Sequence, residues 1–288
     1  MGNELHKNRW SLFQVHLATL FFGLSGLFGK WIALPSSLIT FGRCAFAFVA
    51  LFLLILFSKE RFTLRQTRHY FVFAGLGALL ALHWQAFFYS IQISTVAVAL
   101  LTFSSFPVFA AFLEPLCFKE KIRRRDMAAA LLVVGGIACI VPTFDLNHAT
   151  TVGVMFGLLS GLTFAVLQIA NRKFVQTYSG GLISFYQTGF AALALLPALW
   201  FVDGDILPSQ IGMLAVLGTL CTAFAHSLFI SGLRSVKVRS ASIIAGLEPV
   251  YGILFAMLLL NEIPSWRSVC GGIIILTAAS WVSIKLKA

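Results

Sequence analysis

Polar side chains that could contact a solute occur inside long apolar segments of this sequence. His83, Trp84 and Gln85 are consecutive, and Tyr89 follows Gln85 by one helical turn, so Gln85 and Tyr89 can share a helix face. A polar side chain at mid-membrane depth is costly and tends to face the interior of a helical bundle. On this ground we predict ten substrate-binding residues: His83, Trp84, Gln85, Tyr89, Ser104, Ser105, Gln168, His226, Glu248 and Tyr251.

Glu248 is the residue with the strongest chemical signal. An ionised carboxylate at the centre of a membrane helix costs about 2.5–3.5 kcal/mol, so it must be paired, protonated or in contact with water. Glu248 is therefore a candidate both for contact with a substrate amine and for proton coupling. The alternative is a protonated structural side chain that bonds to a neighbouring helix, and the sequence leaves this open.

Two prolines stand near the predicted centres of their helices. Pro107 and Pro249 each remove a backbone donor and free a carbonyl, which predicts a kink available for gating or coordination. A static kink packed in the core is the alternative. For the histidines the alternative is an interhelical hydrogen bond, and for the aromatic side chains it is ordinary packing.

Other kinds of chemistry find no support in the sequence. We predict no catalytic residue, because no nucleophile–base–acid constellation occurs. The five cysteines are scattered without metal-binding spacing, and the segment from Gly23 to Lys30 departs from the phosphate-binding pattern. We therefore expect no metal and no cofactor, and a protein that is not an enzyme.

The composition indicates which elements must position these residues. Of the 288 residues, 59% are apolar and only 11% are charged, whereas soluble domains carry about 25% charged residues. This excludes soluble enzymes and nucleic-acid binders, despite a net charge of +11. The apolar runs have the length of membrane-spanning helices and lack the alternation of barrel strands. The predicted fold class is thus an all-α integral membrane protein in contact with the lipid bilayer, with no nucleic-acid partner.

The runs predict ten transmembrane spans. The predicted bounds are 11–33, 37–57, 69–91, 96–118, 126–143, 151–173, 180–202, 209–233, 238–260 and 267–286. If the N-terminus is cytoplasmic, 18 of the 21 Lys and Arg residues fall on the cytoplasmic side. This asymmetry favours both termini in the cytoplasm, in a multi-pass protein of a bacterial-type inner membrane.

The two halves of the chain share a pattern at a constant offset of 142 residues. This offset relates Pro107 to Pro249, Glu120 to Glu262 and Lys30 to Arg172. Five spans per repeat is an odd number, so the second repeat enters the membrane from the opposite side. Inverted repeats are typical of secondary transporters. We predict one repeat over residues 1–146 and an inverted one over 147–288.

These residues also carry a family resemblance. Gly23–Lys30, Ile91–Leu100, Pro107 with Lys119–Lys121, and Leu247–Val250 with Asn261–Glu262 resemble a ten-helix, EamA-type member of the drug/metabolite transporter superfamily. The family usually has Glu-Pro in both repeats, whereas here the first repeat has Phe106-Pro107.

The resemblance implies a secondary transporter of a small organic metabolite that works by alternating access. Efflux of an amino acid or related metabolite is the first expectation, and uptake of a vitamin or nucleoside-like solute such as riboflavin is the alternative. From other classes, a membrane-embedded enzyme acting on a lipid-linked substrate and a channel are further alternatives. The sequence leaves the oligomeric state open between monomer and homodimer.

Overall fold

The computed structural model describes residues 2–58, 61–118, 124–141, 145–201, 206–236 and 238–283. Within these ranges the chain is helical, with short connections and no β-strand. The helices form ten spans, numbered in chain order. Spans 1 to 5 are Gly2–Trp31, Ser36–Ser58, Thr67–Ile93, Val96–Phe103 with Phe106–Phe118, and Arg124–Ile140. Spans 6 to 10 are Ala149–Phe174, Gly180–Leu195 with Leu196–Phe201, Pro208–Gly218 with Thr219–Phe224 and Ala225–Gly232, Val238–Ala245 with Glu248–Leu260, and Trp266–Ser283.

The described part of the chain contains eight spans that are long and apolar enough to cross a membrane. Span 5 and span 10 are shorter, at 17 and 18 residues. All-α architecture in ten spans agrees with the prediction. The protein is a multi-pass membrane protein.

Four predicted spans differ from the continuous helices expected. Span 4 is interrupted at Ser104 and Ser105, and span 9 at Gly246 and Leu247. Span 7 ends in a 3₁₀ turn over Leu196–Phe201. Span 8 contains a π-helical segment, Thr219–Phe224, in which Thr222 Oγ1 donates to the carbonyl of Leu217 at 2.9 Å. The apolar run predicts a span but gives no signal for these local changes of helical geometry.

Contacts between helices of the two repeats occur in equivalent pairs. Span 6 packs mainly against spans 3 and 4, and its repeat counterpart, span 1, packs mainly against spans 8 and 9. Spans 2 and 7 pack against each other, as do spans 5 and 10. Each of these contacts has a counterpart with the repeats exchanged, as two inverted five-helix repeats require. We call spans 3, 4 and 6 lobe A, and spans 1, 8 and 9 lobe B.

Glycines allow the close packing inside each lobe. In lobe A, a Cβ atom built on Gly157 or Gly161 would lie within 3 Å of Thr102 Oγ1 or of the Phe103 carbonyl oxygen. In lobe B, a Cβ on Gly23 would lie 2.9 Å from the backbone nitrogen of Gly252. Small residues at such points let helices approach where lipid offers no hydrophobic driving force. The two lobes are therefore tightly packed units.

Candidate substrate site

A cavity lies where lobe A faces lobe B. Spans 1, 2, 3, 4, 6, 8 and 9 all contribute to its wall. The lining residues are Phe22, Ser25, Arg43, Leu80, His83, Trp84, Phe87, Phe103, Phe164, His226 and Glu248. The volume open to the centre of a water molecule is about 20 Å³, which is room for about one water. In this conformation the cavity is therefore too small to hold an organic solute.

One face of span 3 forms much of the wall. Leu80, His83, Trp84 and Phe87 follow one another at intervals of three, one and three residues, and all line the cavity. This is the spacing of a single helix face. The consecutive pair His83 and Trp84 thus marks the centre of a stripe that the sequence analysis recognised only in part.

Arg43 of span 2 is the residue that the sequence analysis missed. It is only 1% exposed and lies about 10 Å along the helix from Ser36. Its Nε donates to Thr222 Oγ1 at 3.0 Å, and its guanidinium carbon lies 3.9 Å from the ring centroid of Trp84. A charged residue inside a span is by itself a signal of function, and this signal was available in the sequence.

The π-helical segment of span 8 explains how Arg43 is held. The wider turn places Thr222 so that its hydroxyl donates within its own helix and accepts from Arg43. π-turns inside α-helices occur frequently at functional sites. Trp84 stacks against the guanidinium and also meets His226 edge-on, at 5.5 Å between ring centroids.

Glu248 begins the second helical half of span 9. The side chain is 4% exposed, lines the cavity, and its Oε2 has no hydrogen-bond partner among the described residues. A carboxylate in the first turn of a helix is stabilised by the positive end of the helix dipole. No ion pair within 4 Å joins Glu248 to Arg43 in the described part of the chain. The cavity therefore contains a basic and an acidic side chain that form no direct ion pair with each other.

The two histidines are held by hydrogen bonds on different lobes. His83 Nδ1 lies 2.9 Å from the Ser160 carbonyl oxygen and 3.0 Å from Ser160 Oγ. His226 Nε2 lies 3.2 Å from Gln187 Oε1, and Gln187 Nε2 donates to Asn171 Oδ1 at 2.6 Å. Because Gln187 Oε1 can only accept, His226 Nε2 is the donor in this hydrogen bond. Interhelical bonds thus orient both rings toward the cavity.

Two predicted site residues of span 3 lie away from the cavity. Gln85 Nε2 donates to Ser36 Oγ at 2.9 Å, at the start of span 2. Tyr89 is 36% exposed and packs edge-on against Phe156 on the outside of the bundle. At about 100° per residue, Gln85 lies about 100° and Tyr89 about 140° from Trp84 around span 3, on the side away from His83, Leu80 and Phe87.

The remaining predicted residues lie around the cavity without lining it. Ser104 and Ser105 are buried at the break in span 4, and each donates to a carbonyl of its own helix. Tyr251 is half-buried at the seam between spans 1 and 9. Gln168 is 1% exposed, and both its amide atoms are without a partner in the described chain. It follows Phe164 by one turn and so continues the cavity-facing side of span 6.

Both prolines occupy the first turn of a half-helix. Pro107 follows Phe106 at the start of the second half of span 4, and Pro249 follows Glu248 at the start of the second half of span 9. Proline is well tolerated there, because the first residues of a helix have no intrahelical acceptor for their N–H groups. The structure therefore places complete helix breaks where the sequence predicts kinks.

The ten-span architecture and the duplication identify the fold family. The model of the EamA-like transporter family matches residues 9–141 and again 151–284. The chain belongs to the EamA-like transporter family. A solved crystal structure superposes on it with a TM-score of 0.70 over 94% of both chains at 18% identity, and this likeness shows the fold alone.

Curated relatives of the chain are named as transporters. An uncharacterized transporter of Archaeoglobus fulgidus is 27% identical over 90% of this chain and 91% of its own length. The pseudopaline exporter of Pseudomonas aeruginosa is 26% identical over 85% of both chains. The S-adenosylmethionine uptake transporter of Rickettsia prowazekii is 25% identical over 75% of this chain and 73% of its own length. This EamA-like protein is thus a membrane transporter of a small-molecule solute.

Proposed function

We propose that this EamA-like protein exports an amino acid or a related zwitterionic metabolite by alternating access. The observation that carries the proposal is that a basic and an acidic side chain, Arg43 and Glu248, line one cavity, each with polar atoms left for a ligand. A guanidinium is suited to a carboxylate, and a carboxylate to an ammonium group. A solute with both groups would neutralise both buried charges together.

The walls of the cavity favour a solute that also carries an apolar or flat part. Trp84, Phe87, Phe103 and Phe164 provide aromatic surface beside the two charges. Gln168 adds a polar group to this wall. Its unpaired amide would come within reach of a solute if the cavity extended by one turn of span 6. We assign it to substrate contact in a state that is open on that side.

We infer the placement in the cell from the charge pattern, and the likeness to the pseudopaline exporter supports export as the first candidate. We place both termini in the cytoplasm and the protein in the inner membrane, because Lys and Arg concentrate on one side. Because the cavity has room for about one water molecule, we infer that it enlarges and opens alternately at its two ends as the lobes rock. Glu248 is the group that we assign to proton coupling, because it is the acidic side chain that lines the cavity.

Uptake is the second candidate. The aromatic walls would also accept a planar solute, and one relative is named as an uptake transporter of S-adenosylmethionine. A riboflavin-like solute lacks the opposite charges that Arg43 and Glu248 would bind. The charge requirement of the solute thus separates the two candidates.

Counterflow in proteoliposomes tests the proposal. Vesicles loaded with one unlabelled amino acid at a time are diluted into the same labelled compound, and accumulation is measured. We expect accumulation for at least one free amino acid, and at least tenfold less for its amide, which lacks the carboxylate, and for its N-acetyl derivative, which lacks the amine. Arg267→Gln changes a cation outside the cavity lining, and this control variant should distinguish the three forms of the amino acid as the wild type does. Equal flux of all three forms, or flux of riboflavin alone, would contradict the zwitterion site.

A further inference from the structure

Reciprocal hydrogen bonds join the two lobes at the end of the bundle where span 1 ends. Lys30 Nζ donates to the carbonyl of Ser94 at 2.8 Å and to that of Gln92 at 3.4 Å. In return, Gln92 Nε2 donates to the carbonyl of Leu34 at 2.7 Å. Lys30 lies in the last turn of span 1, in lobe B, and Leu34 lies in the connection that follows it. Gln92 lies in the last turn of span 3, in lobe A, and Ser94 directly follows that span. We call this set the Lys30 clasp.

The opposite end of the bundle carries a similar set. Arg172, near the end of span 6 in lobe A, donates from Nη1 to the carbonyl of Val236, which follows span 8 in lobe B. Arg234 of lobe B donates back, from Nε to the carbonyl of Val175 and from Nη2 to that of Tyr178, each at 3.0 Å. We call this set the Arg172 clasp.

The two clasps are repeat counterparts. The offset of 142 residues found in the sequence relates both donors and one acceptor of one clasp to those of the other: Lys30 to Arg172, Gln92 to Arg234, and Ser94 to Val236. Because the repeats are inverted, equivalent bonds lie at opposite ends of the bundle. Each clasp crosses from one lobe to the other, and the cavity lies between them.

A carboxylate adds to the Lys30 clasp. Glu262, in the connection after span 9, accepts from the backbone nitrogen of Val96 at 2.7 Å and from that of Ala97 at 3.4 Å. These are the first N–H groups of span 4, which have no acceptor in their own helix. The bond ties the end of span 9, in lobe B, to the start of span 4, in lobe A.

We infer that the two clasps are the two gates of the transport cycle, each of which holds its own end of the cavity closed. The inference rests on the proposed function in that it assigns these bonds to alternating access. Both clasps are formed here, which agrees with a cavity that admits about one water molecule. To admit a solute at one end, the lobes must separate there, and that separation breaks the bonds of that clasp alone.

The donors of the two clasps differ in a way that allows a matched exchange. The reciprocal donor is a neutral amide at the Lys30 end, Gln92, and a guanidinium at the Arg172 end, Arg234. Hydrogen bonds from charged donors stabilise more than those from neutral ones. Gln92→Arg therefore strengthens one gate, and Arg234→Gln weakens the other. Gln92→Arg holds the Lys30 end closed and Arg234→Gln favours opening at the Arg172 end, whereas Lys30→Met and Glu262→Gln favour opening at the Lys30 end.

Distances between spin labels measure the opening at each end. One labelled pair, Ala149→Cys with Ser209→Cys, spans the lobes at the Lys30 end, and a second pair, Thr67→Cys with Ser240→Cys, spans them at the Arg172 end. All four positions are exposed. The background replaces Cys117, Cys139 and Cys270 by alanine and keeps the buried Cys44 and Cys221. The purified protein is measured without solute, so the outcome does not depend on whether transport of a zwitterion is correct.

We expect Lys30→Met, Glu262→Gln and Arg234→Gln each to raise the open fraction at the stated end by about fivefold, since the loss of a partly exposed charged hydrogen bond shifts the balance by about 1 kcal/mol. The distance at the other end should stay closed. Two control variants alter cations that do not join the lobes. Arg267→Gln removes a weak contact between spans 10 and 5, and Arg68→Gln removes a local bond to Gln66. Neither control should change a distance.

Two results would overturn the inference. The first is that the Lys30 and Arg234 variants leave both distances unchanged while the protein stays folded, as judged by its thermal stability. The second is that they open both ends together or open the opposite end. A protein that fails in counterflow but opens at the stated ends would contradict the zwitterion proposal and leave the gates in place.

Discussion

Replacement of Arg43 by lysine keeps the positive charge of the cavity but removes the planar fork of the guanidinium. The lysine ammonium cannot bond to Thr222 and stack on Trp84 in the manner of Arg43. If Arg43 binds the carboxylate of the solute, this change should weaken binding while the protein still folds. The prediction therefore separates the geometry of Arg43 from its charge.

The magnitude follows from the contacts. A hydrogen bond to a charged group contributes about 1.5–3 kcal/mol, and each 1.4 kcal/mol corresponds to about tenfold in the dissociation constant. Loss of one bond of a bidentate pair should therefore weaken binding by about 10- to 100-fold. The stacking of Arg43 on Trp84, at 3.9 Å, adds about 0.5–2 kcal/mol to the positioning of the guanidinium.

Thermal stabilisation of the detergent-purified protein gives the binding constants. The wild-type protein is titrated with each amino acid, and the solute that raises the melting temperature most is titrated again with Arg43→Lys. Stabilisation grows as RT ln(1 + [L]/Kd), so the shift in midpoint concentration gives the ratio of dissociation constants. Thr222→Val is the matched control, because it removes the partner of Nε but keeps the guanidinium. We expect its effect to be less than tenfold.

The reasoning is refuted if Arg43→Lys binds the solute as tightly as the wild type does. It is also refuted if Thr222→Val weakens binding more than Arg43→Lys does. In the first case the guanidinium has a structural role only, and the carboxylate of the solute binds elsewhere. Melting temperatures without solute, measured for all three proteins, separate a loss of binding from a loss of folding.

Three further predictions concern the cavity and its frame. Glu248→Gln should remove the pH dependence of counterflow, and a variant with the rate and pH profile of the wild type would contradict proton coupling. Trp84→Ala should raise the half-saturation concentration by about tenfold, because the stacking contact is lost, whereas Gln85→Ala should leave it unchanged; equal effects would contradict the placement of the cavity. Gly161→Ala should lower the melting temperature, since a Cβ would lie 2.8 Å from the Phe103 carbonyl oxygen and overpacking costs about 1–3 kcal/mol; a melting temperature equal to that of Gly75→Ala, where the space is open, would refute this.

The general architecture could be predicted because membrane spans leave a strong signal. Some twenty apolar residues in a row predict a span, and basic residues between the spans predict its orientation. The breaks in spans 4 and 9 could be located from Pro107 and Pro249, although their extent could not. The π-helical segment of span 8 contains no proline or glycine that would predict it from the sequence. Its geometry depends on the contact between Thr222 and Arg43 of span 2, which the sequence does not give.

The site could be predicted where chemistry is unusual, and not where only helix rotation decides. Glu248, His83 and His226 are costly in a membrane, and all three line the cavity. Gln85 and Tyr89 do share a side of span 3, as their spacing predicts, but it is not the side of the cavity. A sequence gives the relative angle between two residues of one helix, and the absolute rotation depends on neighbouring helices.

The approach of Gly161 to span 4 has a consequence for movement. Pro107 has no N–H, so the Phe103 carbonyl loses the donor that an unbroken helix would offer it. The absence of a side chain at Gly161 brings the backbone of span 6 against this oxygen, where a Cα–H group can serve as a weak substitute donor. Straightening or bending of span 4 at this point would therefore move span 6 as well, through the close contact between Phe103 and Gly161. The break in span 4 therefore couples the movement of this helix to that of span 6 and does not act as an independent hinge.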